Sequence, residues 1–71
     1  PDEQIRRQVA RLMRQQPWVD SFYIFPAVEQ GIVTFHGFAG SDKFLNALRA
    51  LAEGVPGVKE VRFETQPTPR F

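Results

Sequence analysis

The sequence predicts an α+β fold, a two-layer sandwich in the order α-β-β-α-β, whose three-stranded mixed sheet has both helices on one face. Three observations predict it. Two segments carry apolar residues at helical spacing, three shorter segments are rich in β-branched and aromatic residues, and glycine or proline separates them. Because each helix has one apolar face, two layers are the economical way to bury both helices against three strands.

The size and composition of the chain restrict its class. Its 71 residues are enough for one domain, predicted at 1–65, and two prolines in 66–71 predict a flexible C-terminal tail. The absence of cysteine excludes disulfides and thiolate metal sites. Nine basic and eight acidic residues give a net charge of +1, which does not favour nucleic acid as a partner. No apolar run approaches the roughly 20 residues of a membrane-spanning helix.

The first helix is predicted over residues 2–16. Asp2 is suited to cap its N-terminus, and Pro17 cannot continue it. One arc of this helix is apolar and the opposite side is basic, which is typical of a helix packed on a core. The apolar arc consists of Ile5, Val9, Leu12 and Met13, and the basic side of Arg7, Arg11 and Arg14.

Two strands joined by a tight turn follow, at residues 22–28 and 32–38. Pro26 lacks a backbone N–H, which predicts that the first strand lies at an edge of the sheet or is bulged there. Gly31 suits a turn that requires a positive φ. In the second strand Val33 and Phe35 share one face, and Ile32, Thr34 and His36 share the other. Both faces of the first strand are apolar, so either of its alternate sets could join the outer face.

The second helix is predicted to start after Ser41, its N-cap, and to stop at Gly54, with Pro56 close behind. A third strand over about 58–64 follows, with Val61 and Phe63 on one face. Because a helix connects them, strands two and three should run parallel, with a right-handed crossover if they are adjacent. The position of strand three beside strand two or strand one stays open at this point.

Three short segments of the chain resemble the BON domain, a family named from bacterial osmotic-shock and nodulation proteins. Residues 2–6 (Asp-Glu-Gln-Ile-Arg) open the first helix as in that family. Residues 31–37 (Gly-Ile-Val-Thr-Phe-His-Gly) match its central Gly-x-Val-x-Leu-x-Gly pattern, with Phe35 where leucine is usual. Residues 57–61 (Gly-Val-Lys-Glu-Val) match its closing pattern, so the resemblance covers about 2–64.

The resemblance implies a non-catalytic binding module without a cofactor, which contacts phospholipid membranes, hydrophobic ligands or a protein partner. Such domains occur in the bacterial periplasm and cell envelope. They are also appended to cytoplasmic CBS-domain proteins, and residues 49–58 are similar to that version. The alternative function is therefore a cytoplasmic regulatory module that self-associates beside ligand-sensing domains. Because the chain starts with Pro1 rather than methionine, we expect a piece of a longer protein.

Candidate contact residues lie on the basic side of the first helix and on the outer face of the sheet. Anionic phospholipid would suit the arginines, and a large apolar patch usually marks a partner site. The competing interpretations are a solvated helix face, a Trp18 that covers the end of the core, and a sheet face covered by another domain or by a second copy in a homodimer. The candidates are Arg7, Arg11, Arg14, Trp18, Tyr23, Phe25, Ile32 and His36.

No catalytic or metal-binding residue is predicted. His36 is the single histidine, and a catalytic triad or a zinc site needs several groups of suitable type in contact. The two serines, Ser21 and Ser41, are explained as connector and helix cap. The loop 37–40 precedes a helix and could bind an anion, but its composition is that of an ordinary turn.

Overall fold

The computed structural model describes residues 2–19 and 23–67, and the predicted α+β order is confirmed. Its elements are α1 (Asp2–Arg14), β1 (Ile24–Glu29), β2 (Ile32–Ala39), α2 (Asp42–Glu53) and β3 (Glu60–Pro67).

The sheet is mixed and has the order β1-β2-β3, so the third strand lies beside the second. β1 runs antiparallel to β2, and β3 runs parallel to it. The Phe38 amide donates to the Tyr23 carbonyl at 2.7 Å, and Pro26 lies opposite Phe35. In that register the backbone groups of Pro26 point away from β2, at the free edge. β1 is therefore the edge strand that Pro26 predicts.

One hydrophobic core lies between the sheet and both helices. Val33 and Phe35 on the central strand are 0% exposed, as their alternation predicts. The Phe35 ring stacks on Phe63 of β3, with 5.6 Å between centroids. Residues from both helices belong to the same core cluster, which places the helices on one face of the sheet. The other buried members are Ile5, Val9, Met13, Ile24, Leu48, Ala52, Val55 and Val61.

Ser41 caps α2 as predicted, because its hydroxyl accepts a hydrogen bond from the Phe44 amide at 3.2 Å. α1 ends at Arg14, two residues earlier than expected, and the chain passes through a final turn before Pro17. In that turn the Gln16 amide donates to the Met13 carbonyl at 3.1 Å.

Both ends of the third strand also differ from the prediction, since β3 begins at Glu60 and not at about residue 58. β3 continues to Pro67, where Gln66 pairs with Phe38 and Pro67 with Ala39. These two residues therefore belong to the strand and not to the predicted tail. The predicted connector residues 20–21, the start of the first strand at Phe22 and the remaining tail residues 68–71 lie outside the described residues.

Candidate docking surfaces on the sheet and the first strand edge

The strand register decides which side chains form the outer sheet face. Phe25 lies opposite His36, and Ala27 lies opposite Thr34. Since His36 and Thr34 alternate with the buried Val33 and Phe35, the outward set of β1 contains Phe25 and Ala27. We define the outer sheet face by three residues from each strand: Phe25, Ala27 and Glu29; Ile32, Thr34 and His36; Glu60, Arg62 and Glu64.

The β1 side of this face is aromatic. Tyr23 and Phe25 are 55% and 56% exposed. The Phe25 ring stacks on the His36 imidazole, with 5.9 Å between centroids and 24° between planes. His36 Nδ1 lies 3.5 Å from Glu64 Oε2, so one cross-strand row contains an aromatic ring, an imidazole and a carboxylate. This row joins two predicted contact residues, Phe25 and His36.

The outer sheet face is acidic, and two of its three carboxylates lie on β3. The face contains three carboxylates, from Glu29, Glu60 and Glu64, against one guanidinium, from Arg62, a formal charge of −2 with histidine neutral. Arg62 is already engaged, because its Nη2 lies 2.9 Å from Glu60 Oε2. Beside the carboxylates, a shallow cavity of about 290 Å³ contacts His36. The outer sheet face by itself therefore does not attract anionic ligands.

A groove between α1 and the edge strand β1 is lined by residues of both elements. Arg6 and Arg14 line this groove of about 330 Å³ with Phe25 and Pro26. Ala10, one turn from each arginine, contributes to the same wall. Arg14 and Phe25 were both predicted as contact residues, whereas Arg6 was missed. In the sequence, Arg6 lies eight residues before Arg14, so both side chains lie on the same side of α1. This spacing indicates a shared site only once α1 is known to lie over β1.

The other predicted arginines, Arg7 and Arg11, are exposed on α1. Arg7 Nε donates to Glu3 Oε1 at 3.2 Å, and the Arg6 guanidinium binds the same carboxylate. The hydrogen bonds and charge of Arg6, with a smaller contribution from Arg7, lower the pKa of Glu3 to about 2. Glu3 therefore stays ionised between two arginines, and α1 keeps four guanidinium groups against two carboxylates.

Trp18 and Ile32 lie apart from the groove. The Trp18 ring packs edge-to-face on Phe44 of α2, with 5.6 Å between centroids, and its Nε1 donates to Gln16 Oε1 at 3.1 Å. Trp18 is nevertheless 41% exposed, and the contact with Phe44 supports the interpretation that it covers the end of the core. Ile32 is half-buried and lies between Glu29 and Glu60 in one cross-strand row. This row is at the end of the sheet that is far from Tyr23.

The segments that carry the family resemblance converge at that end. The Asp2 carboxylate accepts hydrogen bonds from the amides of Gln30 at 2.8 Å and Gly31 at 3.1 Å. The Lys59 amide donates to the Gly31 carbonyl at 2.8 Å. The start of α1, the β1–β2 turn and the α2–β3 connection are thereby held together. Backbone hydrogen bonds from Gln30 and Gly31 lower the pKa of Asp2. The predicted N-cap residue instead binds a turn distant in sequence.

The family model of the BON domain matches residues 1–66. This chain belongs to the BON domain family. The BON domain is generally a non-catalytic module, and membership therefore indicates a binding function. The motif residues around Gly31 and Gly57 have a structural role in this BON domain, since they join its elements.

The same fold occurs in a solved structure, "CdsD - The structural protein of the Type III secretion system of Chlamydia trachomatis: C-terminal domain". The TM-score is 0.73 at 17% sequence identity, which shows a shared fold. The alignment covers 96% of this chain, and the chain spans about a third of that structure, 34%. No curated protein matches the chain. Attachment to CBS domains stays a prediction, which the flanking sequence would test.

Residues 2–19 and 23–67 contain no candidate membrane-spanning helix and no candidate metal site. No helix in these ranges has the length and apolar composition needed to cross a bilayer. Within the same ranges, no three histidine, aspartate or glutamate side chains gather at a place that could hold a metal ion.

Proposed function

We propose that this BON domain docks reversibly on anionic phospholipid membranes through the corner formed by α1 and β1. The observation that supports this proposal is the groove along the β1 edge, which Arg6 and Arg14 line from α1 and Phe25 lines from β1, while the Phe25 ring is exposed on the outer sheet face. Guanidinium groups suit lipid phosphates, and aromatic rings suit the boundary between headgroups and acyl chains. Tyr23, exposed immediately before β1, extends the aromatic part of this corner.

The charge distribution favours a tilted approach. The carboxylates of Glu60 and Glu64 lie on the β3 side of the outer sheet face. An anionic surface that faced the whole sheet would meet these groups and be repelled. Contact through the β1 edge places Arg6 and Arg14 toward the lipid and leaves the carboxylates in solvent. The proposal therefore restricts the contact to the edge strand and the adjacent side of α1.

The expected affinity is modest. Each arginine near an anionic surface contributes about 1 kcal/mol. The exposed half of a phenylalanine or tyrosine ring is about 100 Å², which contributes about 2 kcal/mol when it leaves water. Ordering the corner and holding the protein at the surface offset part of this sum. The result is weak, reversible binding that several copies on one membrane would strengthen.

Vesicle co-sedimentation tests the proposal with vesicles that contain phosphatidylglycerol and with vesicles of phosphatidylcholine alone. Wild-type protein should bind the anionic vesicles more tightly. Arg14→Gln should weaken this binding about fivefold, and Phe25→Ser should weaken it about 30-fold, the equivalents of about 1 and 2 kcal/mol. Lys43→Gln removes an exposed charge from α2 and is the matched control, with no expected loss.

Circular dichroism should first show that each variant is folded. The proposal is wrong if folded wild-type protein stays in the supernatant with both kinds of vesicle. It is also wrong if Lys43→Gln weakens binding as much as Arg14→Gln, because binding would then follow net charge and not the α1–β1 corner.

A further inference from the structure

The two faces of the sandwich carry opposite charge. The outer sheet face has a formal charge of −2, as counted above. α1 carries four arginines against Asp2 and Glu3, a formal charge of +2. The Asp2 carboxylate binds the β1–β2 turn, and Glu3 is shared by Arg6 and Arg7. Arg11 and Arg14 add positive charge further along the helix.

The spacing of these charges is complementary. Arg7 and Arg14 are seven residues apart on one side of α1, which is about 10 Å along the helix. Glu60 and Glu64 are four residues apart on β3, which is about 13 Å along the strand. The difference is within reach of arginine side chains. The lengths of the elements also agree, at about 20 Å for the helix and about 26 Å for β3.

We propose that this domain associates with a second copy of itself head to tail, with α1 of one copy across the outer sheet face of the next. Arg7 and Arg14 of one copy then contact Glu60 and Glu64 of the next, with Arg11 between them, and Ile32 lies beneath the contact. A symmetric sheet-to-sheet dimer would bring the same carboxylates together, which like-charge repulsion disfavours. The two complementary faces lie on opposite sides of the sandwich. A pair of copies therefore still exposes the outer sheet face of one copy and α1 of the other, so assemblies can grow beyond a dimer.

A single contact of this kind is weak. Three strands about 4.8 Å apart and about 26 Å long present roughly 400 Å². This is about half of the roughly 800 Å² per partner in a standard stable interface. We therefore expect a dissociation constant of about 0.1–1 mM for the isolated domain. Since exposed ion pairs supply the complementarity, salt should weaken the association further.

Sedimentation velocity over a range of protein concentrations tests this proposal in the absence of lipid. Wild-type protein at low salt should show species larger than a dimer, and high salt should return it to monomer. Two charge-reversal variants should each stay monomeric: Arg7→Glu/Arg11→Glu, whose faces are both acidic, and Glu60→Lys/Glu64→Lys, whose faces are both basic. An equimolar mixture of the two should associate, because each reversed face then meets an opposite charge.

The mixture separates head-to-tail contact from the alternatives. Wild-type protein that stays monomeric at millimolar concentration overturns the proposal, as does a dimer that both variants still form. Variants that stay monomeric when mixed, while wild-type protein associates, also overturn it. Glu60→Lys/Glu64→Lys leaves Arg6, Arg14 and Phe25 in place, so loss of self-association with retained vesicle binding would separate this proposal from the membrane proposal.

Discussion

Replacing Gly37 by alanine should destabilise the domain more than the equivalent change at the other glycines. Gly37 lies in β2 opposite Ile24, with a φ of 120° that L-residues rarely adopt. A Cβ atom built at this position would clash with the Tyr23 carbonyl oxygen. That oxygen also accepts the hydrogen bond from the Phe38 amide at 2.7 Å. Alanine would therefore strain β2 and displace the start of β1.

The size of the effect follows from these contacts. A residue held at such a φ costs about 1–3 kcal/mol, and loss of the Tyr23–Phe38 hydrogen bond costs about 1 kcal/mol. The total of about 2–4 kcal/mol compares with a free energy of unfolding of about 4–10 kcal/mol for a chain of this size. With a urea dependence of about 1 kcal/mol per molar, the unfolding midpoint should fall by about 2–4 M. Some of the protein could then be unfolded without denaturant.

Urea unfolding followed by far-ultraviolet circular dichroism measures this midpoint. Gly54→Ala is the matched control, because Gly54 has a φ of −77° and a Cβ there would meet atoms no closer than 3.6 Å. Its midpoint should change by less than about 0.5 M. Equal midpoints for Gly37→Ala and Gly54→Ala would refute the strand register and the close approach of Tyr23.

Two further predictions concern stability. The pKa of Asp2 is lowered from 3.8 by the amides of Gln30 and Gly31, so its contribution to stability is present above about pH 4 and is lost as the pH falls through the lowered value. The urea midpoint of wild-type protein should therefore fall more between pH 6 and about pH 3 than that of Asp2→Asn. Equal falls would show that the hydrogen bonds of the Asp2 carboxylate do not stabilise the fold. Arg49 donates to the Val61 carbonyl at 3.4 Å and lies over the Phe63 ring at 5.1 Å, so Arg49→Met should cost about 1 kcal/mol. An unchanged midpoint would show that Arg49 does not stabilise the β3 edge.

The core face of β2 is predictable from the sequence, whereas the outer face of β1 is not. Val33 and Phe35 alternate with Thr34 and His36, and the two-residue period of a strand then decides which side is buried. Along β1 both alternate sets are apolar, so either assignment buries apolar side chains. Only the pairing with β2 decides that Phe25 faces outward.

The candidate surfaces depend on contacts between distant segments. Arg14 and Phe25 can each be selected from the sequence, but their shared groove exists because α1 lies over β1. The Asp2 carboxylate binds the amides of Gln30 and Gly31, which lie 28 and 29 positions further along the chain. Local cap chemistry predicts a different role for that carboxylate. The opposite charges of the two faces likewise emerge only when the carboxylates of β1 and β3 are placed on one side of the sheet.

The most direct test of the proposed docking surface is an amide chemical-shift titration of ¹⁵N-labelled protein with bicelles that contain phosphatidylglycerol. The largest shifts should occur at Tyr23, Phe25 and Arg14, and the amides of Gly31 and Lys59 should change little. Shifts centred on Gly31, Gly57 and Lys59, beside the cavity of about 490 Å³ that these residues line, would contradict the account, because the motif end and not the α1–β1 corner would then be the binding site.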